Sequence, residues 1–153
     1  MKRSLPALTL VFAVATATAA FADPVTVPSD TIISARQTAF LLSGSVFGAI
    51  KATVTSGADV KGQVDNAGAL VEWAGILPTL FPPGTDKGHD TKALPKVWTD
   101  MPGFQKAAQT YAAAAKTLQD AAKADDKKAF AAAFKQTGKA CGACHKAYRA
   151  KED

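Results

Sequence analysis

Cys141-Gly142-Ala143-Cys144-His145 puts two thiols and an imidazole within five residues near the C-terminus. Two cysteines separated by two residues, with histidine directly after the second, are what covalent attachment of a c-type haem requires. The thiols add across the two porphyrin vinyl groups, and the adjacent imidazole meets the iron from one face. Three other uses of these atoms are weaker. A Cys-x-x-Cys redox pair usually sits where a strand enters a helix, and no strand-like run precedes this one. Zinc wants four ligands, and the only other candidate, His89, falls in a Gly- and Asp-rich stretch. A disulfide between positions i and i+3 of a continuing helix is strained.

The element that must carry this group is helical. Phe130, Phe134, Thr137, Cys141, Cys144 and Tyr148 are spaced 4, 3, 4, 3, 4, which makes one apolar stripe. His145, four residues after Cys141, shares its face. Asp125 or Asp126 can cap this helix, which is expected to run to about residue 151. The preceding segment, about 102–124, repeats the spacing through Phe104, Ala108, Tyr111, Ala115, Leu118 and Ala122. So short a connection makes the two antiparallel neighbours.

Two further segments come earlier. The first, about 29–55, can be capped by Ser29 and Asp30 and ends before Gly57. In it Ile33, Phe40, Phe47 and Val54 recur every seven residues, with Arg36, Ser43 and Ile50 three residues after the first three. Leu41 and Leu42 are expected to widen that seam. The second, about 59–77, has a stripe of Val60, Val64, Ala67, Val71 and Ala74, with Leu70 and Leu77 beside it. Gly44, Gly48, Gly68 and Gly75 offer small faces that another helix could approach. From Pro78 to Pro102, Pro82-Pro83-Gly84, Gly88 and Pro95 exclude a continuous helix. The fold class expected is all-α, an antiparallel four-helix bundle with one long connection between its second and third helices.

Upstream, Lys2 and Arg3, an apolar run over 5–20 and Ala20-Phe21-Ala22 read as a secretory signal cut after Ala22. The run is short and rich in Ala and Thr for a membrane anchor, and nothing after Ala22 is expected to span a bilayer. A single domain over 23–153 remains. Its 16 Lys and Arg against 13 Asp and Glu lower the formal charge from +5 to +3, which argues little for nucleic acid. An exported chain meets an oxidising compartment, and a haem would use up the only two cysteines.

Arginine is scarce in this domain. Arg36 and Arg149 stand against 14 lysines, and both are expected on inward positions, where a guanidinium suits a carboxylate. Electron-carrying cytochromes c commonly set Met opposite the His. No Met follows His145, Met101 reads as core filler, and His89 reads as a solvated loop residue. The iron is therefore expected to be five-coordinate, high-spin and open on its distal face.

Four stretches carry a resemblance: Arg36-Gln37 with Phe40, Leu77-Pro78 with Phe81, Ala93-Leu94-Pro95-Lys96-Val97-Trp98, and Cys141-x-x-Cys144-His145-x-x-Tyr148-Arg149. Through them the chain resembles cytochrome c′ over essentially all of 23–153. That family is itself a standard example of the up-down-up-down bundle. The resemblance implies one covalent haem c on Cys141 and Cys144, with His145 as the axial ligand. It implies Arg36 and Gln37 beside the propionates, joined by Asp90 and Thr91 from the loop. Phe40 would shield the distal face, and Arg149 would border the proximal side, where it can stabilise NO bound in place of His145. Related six-coordinate cytochromes c-556 have a ligating Met in this part of the first helix, and Phe40 argues against that subgroup. His89 departs from the pattern, since the family often has Gly before the Asp.

The partners implied are NO and CO, an unidentified periplasmic redox protein, and a second copy of the chain in a homodimer through the first two helices. No nucleic acid and no membrane are expected. Bound O₂ gains from a distal hydrogen-bond donor, which Phe40 does not supply, so NO and CO fit better. The alternative is a six-coordinate electron carrier of the c-556 type. An enzyme ranks last, because no distal acid–base residue is evident.

Overall fold

The computed structural model describes residues 26–151, so the expected signal segment lies outside them. Four long helices form the bundle: α1 (Ser29–Ser56), α2 (Val64–Ile76), α4 (Met101–Lys123) and α5 (Lys127–Tyr148). A single turn, α3 (Lys96–Thr99), interrupts the long connection between α2 and α4. Short 3₁₀ turns, Lys61–Gln63 and Leu77–Leu80, lead into and out of α2. Among the described residues the only β pairing is an isolated antiparallel bridge between Ala93 and Arg149. The all-α bundle with one long connection is thus the observed architecture.

The helix ends follow local chemistry. Asp126 caps α5 by accepting the Ala129 N–H at 2.9 Å, and Asp100 caps α4 by accepting that of Gly103 at 3.1 Å. Pro102 lies in the first turn of α4, where a missing N–H costs nothing. Gly57, at φ 68°, closes α1 in the left-handed conformation that glycine tolerates. The expected cap by Ser29 or Asp30 does not form. Both are already helical, Pro28 holds the cap position without a side-chain bond, and its carbonyl accepts from Ile32 at 3.2 Å.

The core lies between α2, α4 and α5. Phe104, Ala108, Tyr111, Ala115, Leu118, Ala121 and Ala122 from α4 meet Phe130, Ala133, Thr137 and Tyr148 from α5. Leu118 and Phe130 are fully buried, and each contributes about 2–3 kcal/mol by leaving water. Gly68 marks a close approach of α2 to α4, since a Cβ there would come 2.6 Å from Gln119 Nε2. Around Gly44, Gly48 and Gly75 nothing among the described residues, apart from the helix's own backbone, lies within 4 Å of such a Cβ.

Three expectations need correction. In α2 the buried set is Ala67, Leu70, Trp73 and Ala74, flanked by Val60 and Leu77 outside the helix, while Val64 and Val71 are half-buried. The 3₁₀ turn after Val60 has about three residues per turn, which shifts the phase of the stripe. Leu41 and Leu42 do not widen the α1 seam, being 72% and 61% exposed. And α1 is, by length and composition, apolar enough to cross a membrane, with a mean hydropathy of 1.3. In the structure its Ile33, Arg36, Ile50 and Thr53 are buried against the rest of the bundle.

α5 also stops earlier than its periodicity implies. Tyr148 accepts from Leu94 N–H at 2.9 Å, and Ala150 N–H donates to Lys92 at 2.8 Å. These bonds draw the chain onto the long connection. Arg149 is extended, at φ −119° and ψ 135°.

Candidate functional site

Between the middle of α1 and the C-terminal half of α5 lies a cavity of about 740 Å³. That is within the range that holds a cofactor-sized ligand. Cys141, Cys144 and His145 form one wall, Arg36, Gln37 and Phe40 the facing one, and Phe47, Trp73, Leu77, Phe81, Tyr111 and Tyr148 fill between them. Thr91 and Arg149 also line it, whereas Asp90 does not; its carboxylate turns to Lys92 Nζ at 3.0 Å.

Burial pushes both thiols above their ordinary values, and Cys141 raises Cys144 further. Redox-active Cys-x-x-Cys pairs work through lowered thiol pKa values, so these thiols are the wrong kind for exchange. Among the described residues no group of three or more His, Cys, Asp or Glu side chains gathers for a metal. Neutral thiols three residues apart on a cavity wall do fit addition to two vinyl groups of one porphyrin.

His145 is held below the usual histidine range by burial and by the Arg149 cation. At neutral pH it is therefore an uncharged imidazole with a lone pair to give. Its ring centroid lies 6.5 Å from that of Phe40 across the cavity, with the planes inclined at 66°. A metal–imidazole bond takes about 2 Å and an aromatic contact about 3.5 Å, with the imidazole's own half-width making up the rest. The gap suits one planar macrocycle, and the residues present fit a haem.

Phe40 is braced from behind. It packs edge-on against Trp73 at 5.0 Å and reaches Phe81 at 6.4 Å. The Phe40 ring is apolar and itself offers no donor. Met101, the first residue of α4, is half-buried against the core and does not line the cavity; nor does His89.

Arg36 is 2% exposed. Its guanidinium donates to Thr85 Oγ1 (2.9 Å), Thr85 O (2.7 Å), Thr91 Oγ1 (2.7 Å) and Leu80 O (3.4 Å). It also lies over the Phe81 ring at 4.5 Å and the Trp98 ring at 5.7 Å. Burial lowers its pKa, yet arginine stays charged in proteins. The sequence placed Arg36 at the cavity; its second task, pinning the long connection to α1, comes from partners 49 and 55 residues away.

Gln37 Nε2 reinforces that pinning through the carbonyls of His89 (3.1 Å) and Asp90 (3.5 Å). His89 and Asp90 sit at φ 45° and 50°, in the left-handed region that glycine adopts most easily. Sequence reasoning missed Trp73 as a lining residue, although a lone Trp on an otherwise small-residue helix was a signal for it.

Comparison with known proteins bears on the same residues. The family model described as Cytochrome C' matches residues 31–149. A cytochrome c′ of Rubrivivax gelatinosus is 43% identical over 127 residues, covering 81% of this chain and 97% of its own. The solved nitric oxide complex of a variant of cytochrome c prime from Alcaligenes xylosoxidans superposes with a TM-score of 0.74. It is 32% identical and covers 81% of this chain and 97% of its own. A cytochrome c′ described as having an unusual ligand-controlled dimer dissociation superposes at 0.78. It is 30% identical, with 83% and 100% covered.

Proposed function

The chain belongs to the cytochrome c′ family, whose members carry covalently bound haem c, and from that premise we propose an exported, periplasmic haem protein that binds NO and CO and cycles its iron. Residues 1–22 are the removable signal in this reading, and 23–153 the haem domain. When bound, the haem supplies an iron that takes a diatomic at its sixth position and changes charge by one electron.

The observation that carries the proposal is the cavity wall itself: among the described residues His145 is its only histidine, no methionine lines it, and Phe40 stands opposite. Cys141 and Cys144 would hold the cofactor covalently, and His145 would supply a nitrogen to its iron. Phe40 closes the opposite side without offering a ligand or a donor, and its ring would have to move to admit a diatomic. Arg36 is a buried cation whose hydrogen-bond partners, Leu80 O, Thr85 and Thr91, are neutral. That charge suits the propionates, with Gln37 and Thr91 beside it. Asp90, turned away to Lys92, has at most a backbone part there. Arg149 borders His145 and would hold a cation near a diatomic on the His145 side. The nitric oxide complex of the Alcaligenes relative supports the gas-binding part. The relative whose dimer dissociates under ligand control supports a homodimer.

The second reading, a six-coordinate electron carrier, needs a second protein ligand. Visible spectra of protein made with a c-type maturation system separate the two. A high-spin ferrous spectrum that shifts with CO and NO is expected; a low-spin spectrum indifferent to CO would establish the carrier instead.

A further inference from the structure

α5 contains five lysines and neither Asp nor Glu from Lys127 to Tyr148. Four of them, Lys128, Lys135, Lys139 and Lys146, are spaced 7, 4 and 7. At 3.6 residues per turn they fall within about 40° of one another, in a line about 27 Å long. All four are exposed, and none makes an ion pair or hydrogen bond among the described residues. Lys61, Lys92 and Lys116, by contrast, pair with Asp125, Asp90 and Asp120.

The line lies on the side of α5 away from its buried seam of Phe130, Thr137 and Tyr148. Gly142 shares its face between Lys139 and Lys146, is exposed, and has nothing within 4 Å of where a Cβ would stand. Gly142 and Ala143 are also the backbone that joins the two cysteines. A docked molecule can therefore come closest to the cofactor attachment toward the C-terminal end of the lysine line, between Lys139 and Lys146. Charge is divided along the chain in the same sense. Residues 23–100 hold six Lys and Arg against eight Asp and Glu, and residues 101–153 hold ten against five.

We infer that the outer face of α5 docks an acidic redox protein, steered by the lysine line and seated over Gly142. The inference rests on the haem reading above. Unpaired like charges at Lys135 and Lys139, four apart, cost a helix a few tenths of a kcal/mol, and an acidic surface relieves them. A lipid surface fits less well, because the flanking Ala132, Gln136 and Ala143 offer no bulky apolar group to enter a bilayer.

The test uses the full haem-loaded protein and an acidic flavodoxin, reduced to its hydroquinone, as probe. Stopped-flow reduction of the ferric protein is followed for wild type, for a stripe variant (Lys135→Glu, Lys139→Glu, Lys146→Glu) and for a control (Lys51→Glu, Lys61→Glu, Lys123→Glu). At low salt the stripe variant is expected to slow by on the order of tenfold or more and the control by under about threefold. The difference should vanish near ~0.5 M salt, where screening is nearly complete. Equal slowing of both variants, or no slowing of either, with intact dithionite-reduced spectra, overturns the docking face alone. A spectrum without a c-type haem would instead show that the underlying haem reading had failed. Loss of binding to phosphatidylglycerol vesicles in the stripe variant, with its flavodoxin rate unchanged, would overturn the proposal in favour of a membrane surface.

Discussion

α4 and α1 are both long helices of the same bundle, yet they are packed in opposite ways. Seven of the 23 residues of α4 are buried, in one continuous stripe against α2 and α5. α1 has 28 residues and buries four, Ile33 and Arg36 near one end and Ile50 and Thr53 near the other. Between those two points of attachment Gln37, Phe40, Leu41, Ser43, Gly44, Ser45 and Phe47 border the cavity. Packing in α4 is finished by the chain itself, whereas the middle of α1 faces a space that suits a cofactor. A helix can thus be strongly apolar and lightly buried at once, where the middle of its inner face borders a cavity rather than another helix.

Cys141→Ala removes one attachment point from the α5 wall, and most haem is expected to be lost on acid–acetone extraction. Full retention of covalent haem would overturn the attachment. Leu118→Ala on α4 is expected to cost about 2–5 kcal/mol in guanidinium unfolding, while Leu41→Ala on α1 changes stability by under about 0.5 kcal/mol. Equal costs would mean that the two helices are packed alike.

Arg36→Leu leaves Thr85 and Thr91 without their donor and is expected to cost about 2–3 kcal/mol. Lysine should not rescue it, since one ammonium cannot reproduce the planar fork over Phe81. The smallest effect concerns alkaline stability. Burial, with Cys141 adding to it, raises Tyr111, and burial with the Asp100 hydrogen bond raises Tyr148. Both stay neutral in the folded chain while unfolded tyrosine ionises near about pH 10. The stability they contribute is complete below that pH and falls as pH rises through it. Tyr111→Phe should make that fall shallower in pH-dependent unfolding.

Much of this was legible in the residues. The 4, 3, 4 spacing of α4 and α5, the Asp126 cap and the Cys141-Cys144-His145 group need only one helix to be understood, and each stands where the spacing put it. What could not be read depends on distant partners. Arg149 looked helical because its spacing from His145 is four, but backbone bonds from Lys92 and Leu94 end the helix at Tyr148. Leu41 and Leu42 looked like core because periodicity cannot tell a side chain facing protein from one facing a cavity rim or solvent. Trp73 was passed over because the 3₁₀ turn before α2 rotated the stripe.

The central claim is that one haem lies between Phe40 on α1 and His145 on α5. The spin state of the Phe40→Met variant tests it most directly, because a thioether at that point can reach the iron only if Phe40 faces it. A change from a high-spin to a low-spin ferric and ferrous spectrum is the result this account predicts. A variant that carries haem and remains high-spin, with CO binding as in wild type, would contradict it.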